Sequence, residues 1–401
     1  MTEDDILRAY ELSAKKVAEV SLREKRYLYS HLDWDDRLIS LRGPRGTGKT
    51  TMLLQKIRES GKEKAKTLYV SLDSIWLNVR ELYGLADYHC KRGGTRLVVD
   101  EVHYLEDWQK LMKNLNDDFP DLKVAYTGSS MLKLRAGQGD LSRRQTEYDL
   151  TGLSFREYLK FEGVVDMEPI SLETILSNHV EIATEICLKT KVIAQFENYM
   201  RHGYYPFYLE SVEKYPQRLR QIVNQTLDSD WPSVEDVSAA TIRKARRLLR
   251  ILAEMPPQTP KMSDLYEDID TERRQGLKVL SVLERAGLAK LLPSAVESVK
   301  NLAAPEKIYC DNSNLMHALV ASADSGTLRE TFFMNQISFG HQVGYPKKGD
   351  FLVDGKYLFE VGGARKGFGQ IADIPNSYAV NDDVEIGHGN KIPLWLFGFL
   401  Y

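Results

Sequence analysis

The sequence predicts an α/β protein: a doubly wound parallel sheet first, then a largely helical stretch, then a small second α/β domain. Three observations carry this expectation. Apolar, strand-like runs at 37–42, 66–71, 95–100 and 122–127 alternate with helical stretches, the βα repeat of parallel sheets. The first run leads into "GPRGTGKT" (43–50), a Gly-rich turn that opens a helix. The third ends in two adjacent acids, Asp100 and Glu101.

The Gly-rich turn matches G-x-x-x-x-G-K-[ST] at Gly43, Gly48, Lys49 and Thr50, the Walker A pattern. Glycines let consecutive N–H groups point inward at phosphate oxygens, and the helix starting near Lys49 adds the positive end of its dipole. The cradle is expected to comprise Gly43, Pro44, Arg45, Gly46, Thr47, Gly48, Lys49, Thr50 and Thr51. Lys49 would reach the β- and γ-phosphates of ATP, and the Thr50 hydroxyl would ligate Mg2+. The preceding strand and following helix are the context this motif requires, so a P-loop NTPase sheet is expected.

"TRLVVDEVHYL" (95–105) reads as a buried parallel strand with acids at its C-terminal edge, a Walker B-type strand where ligands of open α/β sheets sit. Asp100 is placed on the Mg2+ side, and Glu101 is the candidate base that polarises the attacking water. "LKVAYTGSS" (122–130) supplies the next strand, with Ser129 as the expected sensor of the γ-phosphate and Ser130 as a helix cap; capping by both is the alternative. Arg143 and Arg144 follow. Arg143 is the candidate for stabilising transferred phosphoryl charge, in cis or from a neighbouring subunit, which leaves self-assembly open; a solvated arginine pair is the alternative.

The bulk numbers exclude several classes. Of 401 residues, 43 % are hydrophobic and 28 % charged, ordinary for a globular protein, and a net charge of −3 gives no global polybasic surface. Cys90, Cys187 and Cys310 are too scattered for a disulfide framework or a Cys-based zinc site. The N-terminus lacks a signal-peptide pattern, and the apolar end "IPLWLFGFLY" is about half a bilayer span, so a cytoplasmic protein without membrane contact is expected.

These residues resemble a known family: bacterial and archaeal AAA-like ATPases that carry a winged-helix segment and a restriction-endonuclease-like C-terminal domain. The resemblance rests on "GPRGTGKT", "LVVDEVH", "TGSS" and "LTGLSFREYL" (150–159), and more weakly on "RHGYYPFYLE" (201–210) and "PEKIYCDNSNLMHAL" (305–319). It implies ATP binding and hydrolysis, and leaves the cellular role undefined.

The expected organisation is a P-loop ATPase domain over 1–153, a helical segment over 154–236, a winged helix over 237–325 and a nuclease-like domain over 326–401. In "ATIRKARRLLRILAEMP" (240–256), Ile242, Ala245, Leu248, Leu249 and Leu252 share one face. Helices at "MSDLYEDI" and "TERRQGLKVLSVLERAGL" and strands at "AKLLPS" and "EKIYC" complete the winged-helix pattern. Between 241 and 310 there are 13 Lys or Arg against 9 Asp or Glu. That modest excess leaves two partners open: DNA, met by Arg273, Arg274 and Lys278, or an unidentified protein.

The tail reads as an amphipathic helix (326–339) followed by "GDFLVDGKYLFEVGGARKGFGQI" (349–371). Glu330, Asp350 and Glu360 stand where a restriction-endonuclease-type centre has its metal-holding acids. The lysine expected two residues after Glu360 is Gly362, with Lys366 or Gln370 on a following helix as candidate replacements. A retained but inactive fold is expected, and "KIPLWLFGFLY" as a buried last strand. Functionally, the sequence predicts an ATP hydrolase whose nucleotide state moves its C-terminal modules; an ATP-switched DNA-binding regulator and an ATP-gated DNA nuclease are the alternatives.

Overall fold

In the computed structural model, residues 1–401 are described except 74–76, 137–140, 257–261, 296–304, 368 and 370. Two units result, Met1–Gly152 and Leu153–Tyr401. In the first, β1 (Leu38–Arg42), β2 (Thr67–Ser71), β3 (Arg96–Asp100), β4 (Lys123–Thr127) and β5 (Thr146–Asp149) form one parallel sheet in the order β2-β3-β4-β1-β5. Four of these strands fall where the apolar runs place them.

The runs are apolar on both faces because both faces are covered. Leu97 and Val99 of β3 join a core with Leu68, Val70, Val124 and Tyr126, backed by the helices Val79–Lys91 and Trp108–Asp118. Val98 points the other way, into a core with Ile39, Leu41, Ala125 and the helix Lys49–Glu59. The register pairs Ser71 with Asp100, bringing the C-terminal ends of β2 and β3 together at one sheet edge.

β5, "TEYD", was not expected. It has no apolar run, because it is an edge strand held by charge: Arg42 Nη1 lies 2.6 Å from Glu147 Oε2, and Nη2 lies 2.8 Å from Asp149 Oδ2.

The second unit begins with helices, among them Phe155–Phe161, Leu172–Lys189, Val192–Asn198 and Tyr215–Gln225. A π-helical turn at Tyr199–Gly203 overlaps the start of the "RHGYYPFYLE" stretch. A Cβ on Gly203 would meet the Tyr199 ring at 2.6 Å and the Tyr158 ring at 2.8 Å, so only glycine permits this approach. Three helices follow, Ala239–Glu254, Met262–Asp268 and Arg273–Arg285, then the antiparallel pair β6 (Ala289–Leu292) and β7 (Lys307–Cys310). These are the elements expected between 240 and 310.

The last sheet is mixed, in the order β12-β11-β10-β9-β8, from β8 (Val343–Gly344), β9 (Phe351–Val353), β10 (Tyr357–Gly362), β11 (Ser377–Asn381) and β12 (Lys391–Pro393). Three expectations change here. The helix Ser325–Ile337 is buried almost all round from Thr327 to Ile337 and is not amphipathic, since its polar residues Glu330, Asn335 and Gln336 find partners inside. The C-terminal run is strand only at β12 and then turns into the 3-10 helix Leu394–Phe399, every residue of which is buried. No helix follows β10 at Lys366, whose backbone lies in a turn region, and Gln370 lies outside the described residues. Among the described residues no helix is long and apolar enough to cross a membrane.

Candidate nucleotide site

The loop 43–48 joins β1 to the helix Lys49–Glu59, and its glycines fix its path. Gly48 caps that helix at φ +90°, and Gly43 has φ +153°. A Cβ on Gly43 would lie 2.2 Å from the Leu150 carbonyl oxygen, so no side chain fits there. Thr47 and Lys49 are buried, Pro44, Arg45 and Thr50 half-buried, and Gly46 and Thr51 exposed.

Arg26 staples the loop from behind. It is buried and donates to the Thr47 carbonyl, and its Nη2 donates to the carbonyls of Thr151 (2.9 Å) and Gly152 (2.8 Å). No motif marks Arg26 in the sequence. Lys49 Nζ donates to the carbonyls of Gly43 (2.7 Å) and Pro44 (2.8 Å), and burial pulls its pKa down to about 8.

Asp100 ends β3 beside this loop. Its Oδ2 accepts from Thr50 Oγ1 and from Tyr69 OH, both at 2.8 Å. Its Oδ1 is buried and accepts no hydrogen bond among the described residues. Burial, with the neighbouring charge of Glu101, raises Asp100 to about 6. Tyr69 went unmarked in the sequence because it reads as one more residue of an apolar strand.

Glu101 adopts φ +58°, in the left-handed region, which turns the chain sharply after the strand. Ser129 donates to Glu101 Oε2 through its N–H (3.0 Å) and Oγ (2.9 Å), and His103 Nδ1 lies 3.0 Å from the same oxygen. Burial works to raise this carboxyl, but His103 and the Ser129 amide outweigh it and hold it at about 2. The histidine stands in the quoted "DEVH" stretch, where its spacing could have drawn notice.

Ser129 thus meets the acid, whereas Arg143 stands exposed in the turn 141–144 with no bond to the loop among the described residues. Its neighbour Arg144 places Nε 3.0 Å from Asp117 Oδ1. A cavity of about 340 Å³ opens against Thr50, Asp100, Glu101 and Tyr69, walled by Leu12 and Lys16 of the helix Glu3–Glu19.

In the second unit, Glu330 and Asp350 converge on Lys307, and Glu360 pairs with Lys366. Among the described residues no group of three or more His, Cys, Asp or Glu is placed to hold a metal. On the three-helix module Arg273 and Arg274 are exposed, while Lys278 pairs with Glu235 at 3.0 Å.

Parts of the chain are similar to known proteins. Residues 35–159 match the AAA domain family, and residues 193–325 match a domain of unknown function. An uncharacterized protein of Methanocaldococcus jannaschii is 27 % identical over 427 residues, covering 96 % of this chain and 88 % of its own length. Among solved structures, a Walker-type ATPase of Pyrococcus abyssi is 13 % identical with a TM-score of 0.38, covering 79 % of this chain and 95 % of its own. The replication initiator DnaA, bound to AMPPCP and single-stranded DNA, is 14 % identical with a TM-score of 0.24, covering 69 % of this chain and 86 % of its own. The strand order and the Gly-rich loop at the sheet edge fit a P-loop NTPase fold, and residues 35–159 of this chain are similar to the AAA domain family.

Proposed function

We propose that the chain binds ATP with Mg2+ on the loop from Gly43 to Thr51, hydrolyses it to ADP and phosphate, and transmits the change to its C-terminal modules. The observation that carries this reading is the state of Asp100. One oxygen is held by Thr50 and Tyr69, and the other is buried without a hydrogen-bond partner among the described residues. A buried carboxylate oxygen left bare is costly unless a cation or its water meets it. The residues therefore fit Mg2+: Thr50 would hold the ion directly and Asp100 through its water shell, and the ion would neutralise charge on the phosphates.

The remaining roles follow from position. Lys49 exchanges its two carbonyl partners for β- and γ-phosphate oxygens. The N–H groups from Gly46 to Thr51 line the cradle, with Pro44 and Arg45 at its rim. Glu101 takes the attacking water's proton once it leaves Ser129 and His103. Arg143 reaches a phosphate only by a movement of its turn or from a second copy of the chain.

The module boundaries near 153, 236 and 325, with a winged helix in the middle, belong to this proposal. The three helices and antiparallel β6–β7 pair support them. A slower, ATP-switched DNA-binding regulator is the second reading. It is favoured by the three contacts that restrain Glu101, and by exposed Arg273 and Arg274 at the start of one helix.

Phosphate release and ATP titration test these readings together. Lys49→Ala is expected to lose ATP binding, while Glu101→Gln binds ATP and turns over about 10²–10⁴-fold more slowly. Wild-type turnover near zero, with tight ATP binding and an ATP-dependent gel shift of DNA, would favour the switch. Normal hydrolysis by Glu101→Gln would remove Glu101 from the mechanism.

A further inference from the structure

The second unit holds five charged side chains that the ATPase reading does not use. Glu330 comes from the helix Ser325–Ile337, Asp350 precedes β9, and Glu360 lies in β10. Glu330 and Glu360 are only 4 % and 2 % exposed. The sequence sets them where a metal-dependent nuclease centre would have its acids, but two lysines have reached them.

Lys307, the first residue of β7, is 5 % exposed. Its Nζ lies 2.9 Å from Glu330 Oε2 and 3.4 Å from Asp350 Oδ1. Tyr309, two residues along and on the same strand face, donates its hydroxyl to Glu330 Oε2 at 2.6 Å. The other Asp350 oxygen accepts the Val361 N–H at 2.9 Å. Lys366 places Nζ 2.9 Å from Glu360 Oε1. Its stem lies over Gly362, where an added Cβ would be 2.5 Å from Lys366 Cβ and Cγ. A lysine from four residues further on thus fills the space above the glycine.

A divalent cation needs several carboxylate or carbonyl oxygens converging on one point. At the point shared by Glu330 and Asp350 there is an ammonium group. We propose that Lys307 stands in place of a divalent cation, so that these carboxylates form an internal ion-pair clasp and not a metal centre. The clasp ties β7 to the helix Ser325–Ile337 and to the start of β9. Three carboxylates against two ammonium groups leave one negative charge. Burial, and then the charge of Asp350, push the Glu330 pKa up, while Lys307 and the Tyr309 hydroxyl act to lower it. Glu360 Oε2 is buried without a hydrogen-bond partner among the described residues, but its companion oxygen is already held by Lys366. A lone oxygen does not hold a divalent ion.

Mn2+ titration of the full-length chain, followed by electron paramagnetic resonance without nucleotide, tests this. Any Mn2+ at the phosphate loop is common to all variants, so the reading is the difference made by Glu360→Gln and Asp350→Asn. In the wild-type background neither substitution is expected to remove a bound ion. Lys307→Met, checked for folding by circular dichroism, is expected to gain one Mn2+ per chain, lost again when Asp350→Asn is added. Two results would overturn the proposal. One is a wild-type Mn2+ site, or Mn2+-dependent plasmid nicking, that disappears in Glu360→Gln. The other is a folded Lys307→Met that gains no ion. Should Lys307→Met fail to fold, the wild-type comparison still decides.

Discussion

Two acid clusters, one in each unit, differ in what surrounds them. Asp100 and Glu101 end a buried parallel strand and meet hydroxyls, an amide and an imidazole, from Thr50, Tyr69, Ser129 and His103. Glu330, Asp350 and Glu360 are met instead by the ammonium groups of Lys307 and Lys366. The hydroxyls on Asp100 orient it and leave its charge for an incoming cation, whereas a lysine cancels a carboxylate's charge in place. Acids in the right order along a chain therefore do not make a metal site; the cations that fold in beside them decide.

The largest expected effect that separates the clusters is catalytic. Glu360→Gln, whose bonding partner lies in its own unit, should leave ATP turnover within about threefold of wild type. Loss of turnover comparable to that of Glu101→Gln would break the comparison.

Next in size is the backbone. Gly43→Ala would drive a Cβ against the Leu150 carbonyl at a φ of +153°, and should cost about 3 kcal/mol or more in chemical denaturation, with loss of ATP binding.

Glu101 gives the pH dependence. Its pKa is depressed from 4.5 to about 2, so its stabilising contribution is fully present above about pH 4.5 and is lost as pH falls through about 2. The unfolding free energy of wild type relative to Glu101→Gln should shrink by about 3 kcal/mol over that interval. A difference independent of pH would mean that His103 and Ser129 do not hold the ionised form.

The smallest effect sharpens the contrast between the two glycines. At Gly362 the obstacle is the flexible stem of Lys366, not backbone, so Gly362→Ala should cost only about 1 kcal/mol by thermal unfolding.

Much of the first unit was legible in the sequence. A strand covered on both faces must be apolar throughout, so β1 to β4 announced themselves, and the phosphate loop is written in residue types that its backbone angles demand. β5 was not legible, because an edge strand held by Arg42 carries no apolar signal. Arg26 was invisible for a similar reason: a lone arginine in "REKRYLYS" looks solvated until its chain is seen to end on three backbone carbonyls. Arg143 shows the converse, an arginine suited to the chemistry that lies exposed in a turn, where the sequence leaves both a phosphate contact and a solvated side chain open. In the tail the sequence marked Glu330, Asp350 and Glu360 as candidate metal-holding acids, yet nothing in their spacing pointed to Lys307, which Glu330 and Asp350 meet.

By itself, then, the sequence determined the α/β sheet, the phosphate-binding turn and the acids at the end of β3, because each depends on local periodicity or on backbone conformations that few residues tolerate. Only the tertiary structure decided which partners those acids have. Whether a carboxylate meets a serine, a histidine or a lysine depends on side chains tens of residues away in the chain, and the long-range packing that brings them within 3 Å leaves no local trace.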